Sequence, residues 1–386
     1  MSSQIGAIVS VNALMGRILK QPMGDLADRL NSRITVCVLA LTSAFLVSTH
    51  IWGEPITCWT PAQFTKAWTD FVNQYCYVHG TYFVPLDKGL DFDATERRRF
   101  PITYYQWVPY VMAVQALLYY LPRLIWKCFC TISGYDLIGA IRHMEHIWDE
   151  VRGNEDKFKA RMTSFEKQSA VYIWDGILLA RRKQSYHLAL YYVAFTALQT
   201  LNAWLQFVWL NELLQSATYS FWGPSIILDL YRGIDWQISG HFPRITHCDF
   251  SRRRPASIQL DTVLCVLHLN IYYEKLFLFL WFWMFFVAMV STANFFFWTI
   301  STCVTRTARR TIIQYLNEDN RTSVEHFLRL LGNDGLFIVQ QISINIGDLP
   351  ASYLTRAMKT VAETWDIAVN DGLEGRSLLQ KGNKAV

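Results

Sequence analysis

The stretch at 104–126, YYQWVPYVMAVQALLYYLPRLIW, limits this chain more than any other. At about 1.5 Å per residue a helix of that length crosses a hydrocarbon core of roughly 30 Å. No charge interrupts it before Arg123, near one end, and tyrosine and tryptophan stand at both ends, where amphipathic rings favour the headgroup level. Pro109 and Pro122 lie inside it. A soluble helix loses about 3 kcal/mol to an interior proline, whereas membrane helices tolerate one because neighbours take up the freed carbonyls.

The whole composition agrees with a membrane chain that has sizeable polar parts. Of 386 residues, 52% are hydrophobic, 15% aromatic and only 17% charged, against about 25% charged in average soluble domains. The net charge of +5 is small and scattered, which argues against nucleic acid as a partner. Residues 1–33 carry Arg17, Lys20, Arg29 and Arg33 and have no apolar core before Ile34. The first span is therefore expected to act as an uncleaved signal anchor.

Four spans are expected, at 34–52, 104–126, 188–210 and 269–300, giving an all-α membrane protein. The third is the most polar, with Gln199, Asn202 and Gln206, amides that commonly link membrane helices. The run at 104–126 is flanked by a segment at 53–103, rich in aromatic residues, and by a polar segment at 127–187. A second such pair of segments lies at 211–268 and 301–386. Leu137, Ile141, Met144, Trp148 and Val151 recur at helical spacing, and Phe158, Met162 and Phe165 do so again. Leu354, Met358, Val361, Trp365 and Ala368 form a third stripe after the helix-start signal Asp348-Leu349-Pro350. These faces need partners, so a packed helical layer is expected. From Gly372 on, the composition reads as disordered.

Charge orients the chain. Arg181-Arg182-Lys183 and Arg306, Arg309 and Arg310 flank span ends, and positive residues favour the cytoplasm. Both termini are then inside, although the triplets Arg97–Arg99 and Arg252–Arg254 fall outside. Cysteine placement is an independent sign. Cys58 and Cys76 lie in one outer segment, Cys248 and Cys265 in the other, as disulfides in an oxidising compartment would require. Four cysteines allow three pairings, and composition does not choose among them.

Enzyme signatures are absent: no P-loop, dinucleotide fingerprint, nucleophile elbow or His-Glu-x-x-His. No catalytic activity and no cofactor are expected. His143 and His146 lie off their helix stripe and read as solvated. His241, His247 and Cys248 resemble a metal set only until Cys248 enters a disulfide, which removes the thiolate. The one Asn-x-Ser/Thr, Asn320-Arg321-Thr322, falls on the inner side, so the outer segments carry no glycan.

Several stretches resemble innexins, the invertebrate gap-junction proteins, and nematode members in particular. They are GDLADRLNSR, CWTPAQF, NQYC, YYQWVPY, VYIWDG, HFPR with HCDF, and LNIYYEKLFLFLWFW. Connexins, by contrast, carry three cysteines per outer loop. The resemblance implies four spans per subunit, a homo-oligomeric, octameric hemichannel in the plasma membrane, and docking to a hemichannel of the adjacent cell. Partners would be further copies, other innexins and membrane lipid, and the cargo ions and small molecules. It also implies that the N-terminal helix within 1–33 folds into the pore mouth, with Ser2, Ser3, Gln4, Ile5, Ile8 and Asn12 as lining candidates. From the residues alone, a membrane-surface helix would be preferred there. For the cysteines the resemblance implies cross-loop pairing, Cys58–Cys265 and Cys76–Cys248, and a docking face that must be rigid before contact favours the same choice. The alternatives are a non-junctional, pannexin-like hemichannel and a junctional adhesion or scaffold protein.

Overall fold

A computed structural model describes residues 24–84, 89–90, 92–93, 97, 101–152, 158–182, 187–214, 221–233, 242–316 and 321–382. In chain order its elements are α1 (Leu26–Trp52), β1 (Ile56–Trp59), α2 (Lys66–His79), β2 (Thr81–Tyr82), β3 (Pro101–Ile102), α3 (Val108–Ser133), α4 (Leu137–Arg152) and α5 (Phe158–Arg182). There follow α6 (Leu188–Leu214), α7 (Trp222–Tyr231), β4 (Ile245–Arg254), β5 (Ser257–Leu267), α8 (His268–Cys303), α9 (Arg306–Leu316), α10 (Arg321–Ile346) and α11 (Asp348–Gly382). Three of these helices, α1, α3 and α8, are long and apolar enough to cross a membrane. At about 1.5 Å per residue the 36 residues of α8 exceed a bilayer core. Helix α6 matches their length with 27 residues but dilutes its apolar run with amides.

The chain divides into two compact units, each taken here by itself. One comprises Ile34–Tyr119 and Leu201–Met289. Its core packs Leu39, Leu46, Tyr105, Met112, Tyr119, Phe207, Trp222, Tyr273, Leu280, Trp281 and Met284, all at most 4% exposed. The interior proline of α3 has its freed carbonyl answered there. Pro122 offers no N–H to the carbonyl of Leu118, and Asn202 Nδ2 donates to that carbonyl at 3.2 Å. Pro109 falls in the first turn of α3, where a missing N–H costs little, and the carbonyl of Tyr105 just before the helix accepts from the Tyr273 hydroxyl at 3.0 Å. A five-stranded antiparallel sheet, in the order β1-β5-β4-β2-β3, occupies the cysteine-bearing segments.

The other unit comprises Met1–Arg33, Tyr120–Thr200 and Val290–Val386. Asp25 caps α1, accepting from the backbone N–H of Asp28 at 3.1 Å and from Trp298 Nε1 at 2.7 Å. The helix widens to a π-turn over Leu30–Thr35. There Asn31 Nδ2 and Ser32 Oγ donate to the carbonyls of Ala27 and Asp28, at 2.8 and 2.7 Å, competing with the α-helical ladder. All five residues of the α4 stripe are buried, as are Met162 and Phe165 of α5 and Leu354 and Met358 of α11. They share one core with Trp174, Tyr192, Trp298 and Phe337. Helix α10 kinks at Gly332, whose φ of 66° suits glycine. Arg181 donates to the carbonyls of Leu330 and Leu331 beside the kink, and Asp334 accepts from the backbone N–H groups of Leu188 and Ala189, capping α6.

Two sequence expectations need correction. The chain is mostly helical, but an all-α description omits the sheet. The cause is length and polarity: β1 has four residues, and β4 ends in an arginine triplet that reads as loop. Helix α11 also continues past Gly372 to Gly382, through a run of Leu, Glu, Arg and Gln that favours helix.

Candidate functional site

The sheet and its two disulfides form the most constrained assembly of the first unit. Cys58 of β1 lies opposite Cys265 of β5 in the antiparallel register, and the two are bonded at 2.08 Å. Cys76, in the last turn of α2, is bonded at 2.05 Å to Cys248 of β4. These bonds join positions 207 and 172 residues apart, so they close long chain loops. All four cysteines are at most 3% exposed. Sulfurs of Cys58, Cys76 and Cys265 fall within 4.8 Å of one another. Being bonded, they have no thiolate to offer a metal ion. Asn73 Oδ1 accepts from the backbone N–H of Cys58 at 2.9 Å, which holds α2 on β1.

Side chains from the innexin-like stretches anchor this assembly. Tyr105 and Gln106 both donate to the carbonyl of Tyr77, at 2.8 and 2.6 Å, and so hold the C-terminal turn of α2. His50 is fixed as one tautomer by its partners. The Tyr273 hydroxyl spends its proton on the Tyr105 carbonyl, so His50 Nε2–H must donate to the Tyr273 oxygen, at 2.9 Å. His50 Nδ1 then accepts from the Tyr77 hydroxyl at 2.7 Å. Asn270 accepts from the Tyr104 hydroxyl at 3.1 Å and donates to the Pro243 carbonyl at 2.7 Å. Arg244 Nη2 meets Glu274 Oε2 at 3.0 Å.

A polar cluster stiffens the strand side. Asp249 Oδ1, on buried Asp249, accepts from the hydroxyls of Tyr82 and Thr262 at 2.8 and 2.7 Å, and Arg97 stands 3.6 Å from Oδ2. Burial, followed by the neighbouring Asp249 carboxylate, pushes the Tyr82 hydroxyl well above the ordinary tyrosine range. His247 stacks on Tyr82, and burial lowers its pKa below the usual histidine value, with Asp249 opposing. Arg252 pairs with Asp261 at 3.4 Å and lies over the Phe64 ring. The β4–β5 hairpin turns at Pro255-Ala256 and leaves Ile258 and Leu260 exposed, and Trp59 of β1 is 81% exposed. The outcome is a cross-linked sheet with apolar side chains facing outward. Such a surface suits recognition by another macromolecule rather than bond chemistry.

Of the residues singled out from sequence, the four cysteines come together, three on this sheet and Cys76 on α2 beside it. Ser2, Ser3, Gln4, Ile5, Ile8 and Asn12 lie outside the described residues, as does His241. His143 and His146 are exposed, and His146 lies 3.5 Å from Glu150. Sequence reading did not find the Asp249 cluster. The signal available was Asp249 directly after Cys248, in a strand whose alternation is hidden by arginines. Nor did it find the partner of Glu274.

Known proteins give a consistent comparison. The sequence model of the Innexin family matches residues 24–361. Innexin-6 of Caenorhabditis elegans is 58% identical over 366 residues, covering 94% of each chain. Innexin-12 of the same animal is 30% identical, covering 90% of this chain and 91% of its own. Innexin-16 is 31% identical, covering 87% and 88%. The chain belongs to the innexin family, and with it to the gap-junction channel subunits.

Proposed function

We propose that copies of this chain assemble into an octameric hemichannel that docks with a hemichannel of the adjacent cell, passing ions and small molecules between the two. In this reading α6 is a fourth span beside α1, α3 and α8. Both termini are cytoplasmic, segments 53–103 and 211–268 are extracellular, and the protein sits in the plasma membrane. Residues 2–20, with Ser2, Ser3, Gln4, Ile5, Ile8 and Asn12, line the cytoplasmic mouth of the pore.

The observation that carries the docking reading is the sheet. Two disulfides lock segments far apart in sequence before any partner arrives, and a surface ordered in advance loses less affinity to ordering on contact. The amides of α6 support its reading as a span, since buried Gln199, buried Gln206 and the donor Asn202 face protein rather than lipid.

Electron microscopy of purified particles is the test, combined with antibody labelling of an epitope after residue 380 on intact and permeabilised cells. Eightfold rings, with labelling only after permeabilisation, are expected. Surface labelling of intact cells contradicts the topology, and particles without ring symmetry contradict the channel.

A further inference from the structure

A cavity of about 350 Å³ in the first unit has no role in the account above. Met112, Leu210 and Phe277 form its walls, and Trp107 and Leu213, both more than half exposed, stand at its lip. Its size falls within the range of small-molecule sites. Among the described lining residues none is charged.

One polar side chain lines this apolar space and has nothing to bond. Gln115 is fully buried, yet neither its Nε2 nor its Oε1 makes a hydrogen bond. It lies in α3 about 10 Å along the helix from Val108, at the rise of an α-helix, and so within a stretch apolar enough to cross a membrane. A buried amide left without partners is costly. A lone water bridging Oε1 and Nε2 would have only those two partners in an otherwise apolar space, fewer than the roughly three usual for a buried water, and it would leave the rest of the cavity unfilled. The Tyr104 hydroxyl, also on the lining, is already committed to Asn270.

We infer that this cavity binds a neutral amphiphile of the sterol class, an apolar body with one hydroxyl, entering from the bilayer. A hydroxyl both donates and accepts, so it can satisfy Gln115 Oε1 and Nε2 together. The absence of a cationic group on the wall disfavours a fatty-acid carboxylate, and the aromatic rings of Trp107, Tyr104, Phe242 and Phe277 suit a flat, rigid body. The inference shares the membrane placement of the reading above but does not need docking between cells.

Photolabelling of the purified, assembled protein in phosphatidylcholine nanodiscs tests it. The probes are a photoreactive sterol and a photoreactive fatty acid, each with unlabelled competitor. Saturable sterol labelling is expected in the peptides holding Met112, Leu210 or Phe277. Gln115→Leu should weaken half-saturation by about tenfold, the loss of one good hydrogen bond. Leu213→Trp, at the exposed lip, should block labelling without touching the core, and it decides the matter if the Gln115 variant does not assemble. No labelling of these peptides, equal labelling by the fatty acid, or labelling indifferent to both variants overturns the inference. Because only purified protein is used, cells can fail to couple while labelling succeeds, and the reverse.

Discussion

Asn202 donates a hydrogen bond to the carbonyl of Leu118, the group that Pro122 leaves without its usual partner in α3. An amide from one helix thus repairs the ladder of another. The pair explains both the proline in a long apolar helix and an asparagine in α6. Asn202→Leu should lower stability by about 1 kcal/mol, the usual scale of such bonds between membrane helices. In a Pro122→Ala background the loss should shrink, because that substitution restores the backbone N–H. Thermal unfolding of the four purified proteins measures this coupling. Equal losses in both backgrounds would separate Asn202 from the proline.

Glu274 is the least exposed member of its ion pair, its side chain 8% exposed against 34% for Arg244. Removing Arg244 strands a buried carboxylate, whereas removing the charge from both does not. Arg244→Ala is expected to destabilise by roughly 1–3 kcal/mol, reduced from a fully buried pair because Arg244 reaches solvent. Arg244→Leu with Glu274→Leu should recover much of the loss. Melting temperatures that rank the double variant below the single one would contradict this.

Gly223 opens the Trp222-Gly223-Pro224 turn of α7 against α8. A Cβ there would lie 2.4 Å from the Trp281 ring, which is buried and has no flexible end to yield. Gly223→Ala should therefore cost about 1–3 kcal/mol by overpacking. Gly233 has open space about it, but its φ of 71° suits glycine, so a side chain there is strained for a different reason. Trp281→Leu in the Gly223→Ala background is the better comparison, and it should relieve part of the cost.

His247 gives the sheet a pH dependence of defined sign. Its folded pKa is lowered, chiefly by burial, so the unfolded chain takes up a proton more readily than the folded one. Stability is present above the ordinary histidine value of about 6.5 and is lost as pH falls below it. Protease resistance of segments 53–103 and 211–268, followed from pH 7.5 to about 5.5, should decline, and His247→Gln should flatten the profile. A profile unchanged by that substitution would assign the decline elsewhere.

Much of this was legible from the sequence, and for definite reasons. Uninterrupted apolar runs mark α1, α3 and α8 because a bilayer demands them. The stripes from Leu137 to Val151 and from Leu354 to Trp365 are visible because helices repeat every 3.6 residues. The sheet was hidden by short strands and by the arginines of β4, of which Arg252 pairs with Asp261 across the hairpin. The partner of Glu274 was not legible because Arg244 is 30 residues away and the β4–β5 hairpin brings it back. The proline in α3 announced a freed carbonyl, but not that Asn202 would take it.

Simultaneous recording from both members of a cell pair tests most directly whether this chain joins two cells. Pairs in which both cells express it should pass current between them, and pairs in which one cell does not should pass less or none. Cys58→Ser or Cys76→Ser should abolish that current, since each bond contributes about 2–4 kcal/mol to the sheet. Intercellular current that survives loss of both disulfides, or its absence from pairs carrying the protein at both surfaces, would contradict a docked channel built on this sheet.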